Sequence, residues 1–256
     1  MNTSILDISN YLNTLFPIEQ AESWDKPGFS FFFIKEVKKV FICIDLTPKI
    51  LDQAINENVD LIITHHPFLF YNTKTLNYKF SPYKRKMVKK IKQAQINIFS
   101  LHTNYDSNSN ATANAILKHL GLNVIQTQSI DNYNLLVETK IKFFYLVKQV
   151  KNALNLKHLQ TNLNKNININ KIAILPGSGG IEAVFLAKKH KADLVITSDL
   201  KWSDELSFSF KNINVLLVPH LIEQFFAFDV KQRLEKEFSN QFEIKIVLLE
   251  EILYNI

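Results

Sequence analysis

The stretch DLIITHH, residues 60 to 66, decides the fold. LIIT is a short apolar run, introduced by an acid and stopped by two adjacent histidines and Pro67. Neighbouring side chains of a strand point to opposite faces, so His65 and His66 can serve one site only if the chain turns just past the strand end. Pro67 favours such a break. A second version of the same phrase, DLVITSD, stands at residues 193 to 199.

The same succession of elements surrounds both phrases. KKVFICIDL (38–46) is a strand candidate, PKILDQAINENV (48–59) has helical spacing with Pro48 at its start, and DLIITHH is the next strand. SPYKRKMVKKIKQAQ (81–95) reads as a helix and INIFSLHTNYD (96–106) as a strand ending in polar residues. NATANAILKHLGL (110–122) reads as a helix closed by Gly121. In the second half, NKIAILPGSGG (170–180) gives a strand and a glycine-rich turn, IEAVFLAKKHK (181–191) a helix and DLVITSDLK (193–201) a strand. INVLLVPHLIE (213–223) is another strand, followed by a helix running into FDVKQRLEKEF (228–238). INIFSLHT matches INVLLVPH as DLIITHH matches DLVITSD. Strands alternating with helices imply parallel pairing, so the expected class is α/β, with two similar domains from an internal duplication. The expected division is residues 1–125, with a contribution from the C-terminal segment, and 126–256. Residues 123–169 hold strand-like pieces and an Asn/Lys-rich stretch, TNLNKNININ, expected to be the linker.

Composition narrows the function. With 256 residues, 46% of them hydrophobic, the chain has the make-up of an ordinary globular protein. No segment approaches the roughly 18 to 20 apolar residues of a membrane span. The start, MNTSILDISNYLNTLF, lacks the basic and continuous apolar regions of a secretory signal. A single cysteine, Cys43, excludes an intramolecular disulfide, and the expected compartment is the cytoplasm. The net charge of +6 is modest. Its densest stretch, KRKMVKKIK (84–92), reads as an amphipathic helix with Met87, Val88 and Ile91 turned inward. It has little of the aromatic interleaving of a nucleic-acid surface, so nucleic acid is not the expected partner.

In parallel α/β sheets functional groups collect where strands end at their carboxyl edge. These ends carry His65 and His66, then His102 and Asp106, then Ser198 and Asp199, then His220 and Glu223. Imidazoles with carboxylates suit zinc, manganese, iron and related divalent ions, and the set holds enough ligands for two ions about 3.5 to 4 Å apart. His220 and Glu223, three apart, share a face if a helix begins at His220. Taken singly, each piece has a plain structural reading: a satisfied polar strand end, or a turn in which Asn104 and Asp106 bond nearby backbone. Their recurrence at several strand ends of a repeated unit favours the metal. His119, His158 and His190, among lysines in helical stretches, are expected at the solvated surface. The GSGG turn (177–180) could receive an anion at a helix start or be no more than a tight turn. Cys43, in mid-strand, is a poor nucleophile candidate.

AESWDKPGF (21–29), VFICIDLTPKILDQAI, DLIITHHPFLF, SLHTNYD, the PGSGG turn, TSDLKWSD and PHLIEQFF together resemble the NIF3 family, named for GTP cyclohydrolase 1 type 2 homologues or dinuclear metal centre proteins. The resemblance implies two similar α/β domains facing each other across a metal site, in a homohexameric ring. It implies two divalent ions held by His65, His66, Asp106, His220 and Glu223. At such a site His102, and Asp45 at the end of the first strand, are the expected supporting groups or proton carriers. The activity implied is hydrolysis of a nucleotide or phosphoester; the alternative is a non-enzymatic, metal-carrying ring that binds a protein or nucleic acid partner. Pro219 stands where the family commonly has glycine, and TSDLKWSD lacks a histidine pair found there. Family members often place the glutamate where this chain has Gln224.

Overall fold

A computed structural model describes residues 3–239 and 241–252. Its strands are β1 (Gly28–Phe31), β2 (Lys39–Cys43), β3 (Leu61–Thr64), β4 (Asn97–Ser100), β5 (Val124–Ser129), β6 (Leu135–Lys142), β7 (Gln160–Thr161), β8 (Asn168–Ile174), β9 (Leu194–Thr197), β10 (Val215–Leu217) and β11 (Glu243–Ile246). They form two sheets in two compact α/β units. The first unit contains the chain up to Tyr105 and returns with Phe226–Glu250; the second is built on Asp106–Phe225. No helix of the described residues is long and apolar enough to cross a membrane.

In the first unit the order is β1-β4-β3-β2-β11, with β4, β3, β2 and β11 parallel and β1 antiparallel at the edge. β3 and β4 are buried along their whole length, as strands of a parallel sheet covered on both faces are, including the polar Thr64, Asn97 and Ser100 at their ends. Helix Pro48–Asn56 starts on a Thr47 side chain that accepts from the Ile50 N–H, with Pro48 in the first turn. Helix Lys84–Ala94 buries Met87 and Ile91 against Phe41, Ile62 and Ile98, and leaves Val88 at the margin, so its lysines form the solvated face.

The second sheet has the order β5-β6-β8-β9-β10-β7, of which β8, β9 and β10 are parallel. The duplication extends to hydrogen bonds. Asp60 Oδ2 accepts from the N–H groups of Lys38 and Lys39, and Asp193 Oδ2 from those of Asn170 and Lys171. The Asn97 side chain donates to the Asp60 carbonyl, and the Asn214 side chain to that of Asp193. Each half thus uses one Asp and one Asn to tie the starts of three successive parallel strands together.

Three expectations change. Helix Ala111–Leu120 belongs to the second unit, because Ala113, Ile116 and Leu117 pack in the core that holds Ile196, Leu216 and Phe225. The boundary therefore falls after Tyr105 rather than near residue 125, while β11 and helix Phe226–Phe238 return to the first unit. TNLNKNININ is not a linker but part of the second sheet. Asn162 bonds the Ile213 carbonyl and the Val215 N–H beside β10, and Asn166 accepts from the Phe144 N–H in the first turn of helix Phe143–Ala153, so these asparagines satisfy backbone groups of a strand and of a helix start. Finally, the strand expected over 96–106 ends at Ser100, and Thr103–Asp106 form a single helical turn.

Candidate metal site

The two histidines after β3 stay together because the chain turns without leaving the sheet. His65 N–H and His66 N–H both donate to the Ile44 carbonyl, and the Thr64 hydroxyl donates to the carbonyl of His66 at 2.8 Å. Beyond β4, Leu101 N–H donates to the Thr64 carbonyl, which brings His102 alongside. The three imidazoles form a triangle with ring centroids 5.1 to 5.3 Å apart. One ring nitrogen from each lies within 4.8 Å of the others, close enough to share an ion.

Their tautomers are set by what surrounds them. His65 Nδ1 lies 2.8 Å from the Leu101 carbonyl oxygen, His66 Nδ1 3.0 Å from Asp45 Oδ2 and His102 Nδ1 2.8 Å from Asp25 Oδ1. Carbonyls and carboxylates only accept, so each Nδ1 carries the proton and each neutral ring keeps its lone pair on Nε2. An acceptor fixing one ring nitrogen while the other is left to coordinate is the usual support of a metal-binding histidine. The donor set fits a borderline divalent ion on that ground. Burial raises the Asp25 carboxyl, but bonds from His102, Thr103 and the Lys26 N–H, with the charge that His102 carries when protonated, outweigh it and bring it down to about 2. Asp25 therefore holds His102 as an anion throughout the physiological range.

In the second unit, His220–Phe225 is a 3-10 helix. With three residues per turn, the residue three on lies over His220, so Glu223 rather than Gln224 meets it. His220 Nε2 is 2.8 Å from Glu223 Oε2, and His220 Nδ1 pairs with Asp199. The glycine-rich turn accommodates this pair. Gly177 has φ +56, and a Cβ there would stand 2.5 Å from Glu223 Oε1 and 3.5 Å from His220 Cε1. The turn opens helix Gly180–Lys189, and its tight backbone makes room for the glutamate.

Of the residues expected at the site, His65, His66 and His102 come together with Asp45 in the first unit, and His220 with Glu223 in the second. Asp45 bonds His66 and so orients an imidazole. Asp106 opens the second unit and accepts from the Thr112 hydroxyl. Asp25 and Asp199 hold roles that no spacing in the sequence assigns. Asp25 is 77 positions from His102, beyond the reach of any local pattern, whereas Asp199 was visible as a polar strand end. His119 is not solvated as expected: it stacks on Phe225 at 4.3 Å, bonds the Ala115 carbonyl, and burial lowers its basicity. His158 is exposed in a loop, and His190 is half-buried past a helix end. Cys43 is buried, and burial pushes its thiol far up, as its mid-strand place led one to expect.

Residues 3–252 match the model of a family described as Duf34/NIF3 (NGG1p interacting factor 3). The chain belongs to that family. A relative from Mycoplasmopsis pulmonis, named GTP cyclohydrolase 1 type 2 homolog, is 30% identical over 89% of this chain and 92% of its own. One from Helicobacter pylori, named GTP cyclohydrolase 1 type 2, is 31% identical over 82% of each. The crystal structure of Staphylococcus aureus hypothetical protein SA1388 covers 100% of both chains with a TM-score of 0.87 at 22% identity, a likeness of fold. For a Duf34/NIF3 chain, the metal-capable groups thus sit at the carboxyl ends of the parallel strands of each unit, as the duplication places them.

Proposed function

We propose that this Duf34/NIF3 protein is a metal-dependent hydrolase that uses two divalent ions, zinc, iron or manganese, on a nucleotide or phosphoester. The observation that carries this reading is the set of three clustered imidazoles whose Nδ1 protons are all held by oxygen acceptors. His65, His66 and Asp106, with His220 and Glu223, are the proposed ligands. Divalent ions bound there would supply Lewis acidity and water ionisable near neutral pH. Asp45 fixes the ring of His66, and Asp199 that of His220. His102, its Nδ1 proton held by Asp25, presents Nε2 to take a proton from attacking water and return it to the leaving group. The relatives' name, GTP cyclohydrolase 1 type 2, supports a nucleotide substrate.

Elemental analysis of the purified protein, with a screen of nucleotide and phosphodiester substrates, tests the reading. His65→Ala should abolish turnover and lower the metal content while the circular dichroism spectrum is kept. Metal-loaded protein that turns over no substrate of either class would overturn it in favour of a non-enzymatic metal-carrying scaffold. The same reading takes the protein to be a cytoplasmic homo-oligomer, a hexamer by the family resemblance, which light scattering on the purified protein measures.

A further inference from the structure

Beside the imidazole triangle the first unit leaves a run of aromatic rings open to solvent. Trp24 is 54% exposed, Phe70 and Tyr71 each 39%, and Phe80 59%. Burying such rings is strongly favoured, and large exposed apolar patches tend to mark binding surfaces. The run is continuous: Trp24 lies 5.8 Å from Phe70, Phe70 5.6 Å from Tyr71 and Tyr71 5.1 Å from Phe80. At its other end Trp24 meets the ring of His102 edge-on at 5.9 Å. A planar ring laid on Trp24 or Phe70 would therefore lie within the length of one small molecule from the imidazoles.

The charge of the same segment narrows the occupant. Between Asp60 and Asp106 the chain has no acidic residue and eight lysines and arginines. This stretch carries all three imidazoles and three of the four rings. Lys84 is placed on the site side: its ammonium donates to the carbonyl of Phe68, two residues beyond His66, at 2.7 Å and lies over the Phe68 ring. An apolar ledge alone would fit any hydrophobic group. A ledge of flat rings, three of the four on a segment that has lysines and arginines but no acid, fits a planar ring that carries an anion.

We infer that Trp24 and Phe70 form a stacking ledge for the base of a nucleoside phosphate, whose phosphate is drawn to the basic segment headed by Lys84. Resting on the hydrolase reading above, this selects the nucleotide over the simple phosphoester. Stacking on an aromatic side chain tolerates any base, so the ledge favours nucleotides as a class without choosing among them.

The test uses the metal-loaded full chain carrying Trp202→Phe, which leaves Trp24 as the one tryptophan of the two in the sequence. Adenosine and guanosine monophosphates should quench its fluorescence. Ribose 5-phosphate should not, and should compete at least about ten-fold more weakly. Phe70→Ala, and Trp24→Leu read by competition, should weaken both nucleotides by about ten-fold, leaving ribose 5-phosphate and the melting midpoint unchanged. Equal binding of ribose 5-phosphate and the nucleotides, or nucleotide affinity indifferent to both substitutions, would overturn the ledge. Hydrolysis of an aliphatic phosphodiester without preference for nucleotides sinks the ledge and keeps the hydrolase. Ring-dependent nucleotide binding without turnover of any substrate does the reverse.

Discussion

Gly177→Ala tests whether the glycine-rich turn exists to seat Glu223. Two separate effects act at this position. The backbone at φ +56 is in the left-handed region, where alanine is about 1 kcal/mol worse than glycine. The new Cβ would also stand 2.5 Å from Glu223 Oε1 and 3.3 Å from its Cδ, closer than carbon and oxygen can approach. The carboxylate must swing away from its 2.8 Å contact with His220 Nε2 in a pocket where the Glu223 side chain is only 8% exposed. Weakening one charge-assisted bond in such a place costs about 1.5 to 3 kcal/mol, so the whole change should destabilise by about 2 to 4 kcal/mol. Gly180→Ala is the control, with φ +72 but nothing within 4 Å of its Cβ. It should show the backbone effect alone, about 1 kcal/mol. Urea unfolding followed by circular dichroism compares the two, and elemental analysis reads the site. Gly177→Ala should have the lower midpoint and lose divalent metal, while Gly180→Ala keeps it. Equal midpoints with equal metal contents would refute the idea that this turn seats a ligand.

Three further outcomes follow from the same geometry. Asp45→Ala removes the acceptor 3.0 Å from His66 Nδ1 and should weaken divalent-ion binding about 10- to 100-fold in competition with a chromophoric chelator; unchanged affinity would remove Asp45 from the site. Asp25, held near 2 in the fold against an ordinary 3.8, contributes stability that is fully present above about pH 4 and is lost as pH falls through 2. That contribution is about 1 to 2 kcal/mol, and Asp25→Asn should flatten the acid limb of the stability profile; an identical limb in both proteins argues against the Asp25–His102 pair. Cys43 is buried and its thiol is raised by burial, so a thiol reagent at pH 8 should label urea-unfolded protein and leave the native protein unlabelled, and prompt native labelling would contradict the packing of β2.

The repeat was legible because apolar runs in a covered parallel sheet are long enough, and similar enough, to be matched by eye. DLIITHH and DLVITSD occupy equivalent strands, and even the Asp60 and Asp193 bonds that anchor them are the same. The ligand-type residues at the strand ends were legible for the same reason, since topology sends every parallel strand end to one edge. The orienting partners were less so. Asp25 lies in a loop outside any periodic element and reaches His102 only through the folded chain. The role of Gly177 depends on a distance between a turn and a 3-10 helix, which no spacing encodes. The boundary after Tyr105 was hidden because the periodicity of helix Ala111–Leu120 shows that it has an apolar face, but not which core receives it. TNLNKNININ misled through its composition: asparagines that favour loops in isolation here satisfy backbone groups of a strand and of a helix start.

The duplication also accounts for an exchange of roles. His66 and Asp199 each stand six residues beyond the equivalent acids Asp60 and Asp193, and so mark the same position after matching strands. In the first unit that position supplies an imidazole, whose Nδ1 is held by Asp45 from the end of the neighbouring strand. In the second it supplies the carboxylate, which holds the imidazole of His220 beyond the next strand. His102, the counterpart of His220 after β4, has no acid after β3 to turn to, since His65 and His66 occupy that place, and it is held by Asp25 from an outside loop instead. Each unit therefore keeps the arrangement of an imidazole fixed by a carboxylate, while the strand that provides each part differs. A carboxylate that fixes a ring needs only to sit beside it, so its source can move between strands more freely than the imidazole it serves. On that ground, Asp199→His should not turn position 199 into a second counterpart of His66: it would add a ring where His220 needs an anion. The variant should bind less metal than the parent protein, and a gain in bound metal would show that position 199 is a ligand site awaiting its histidine.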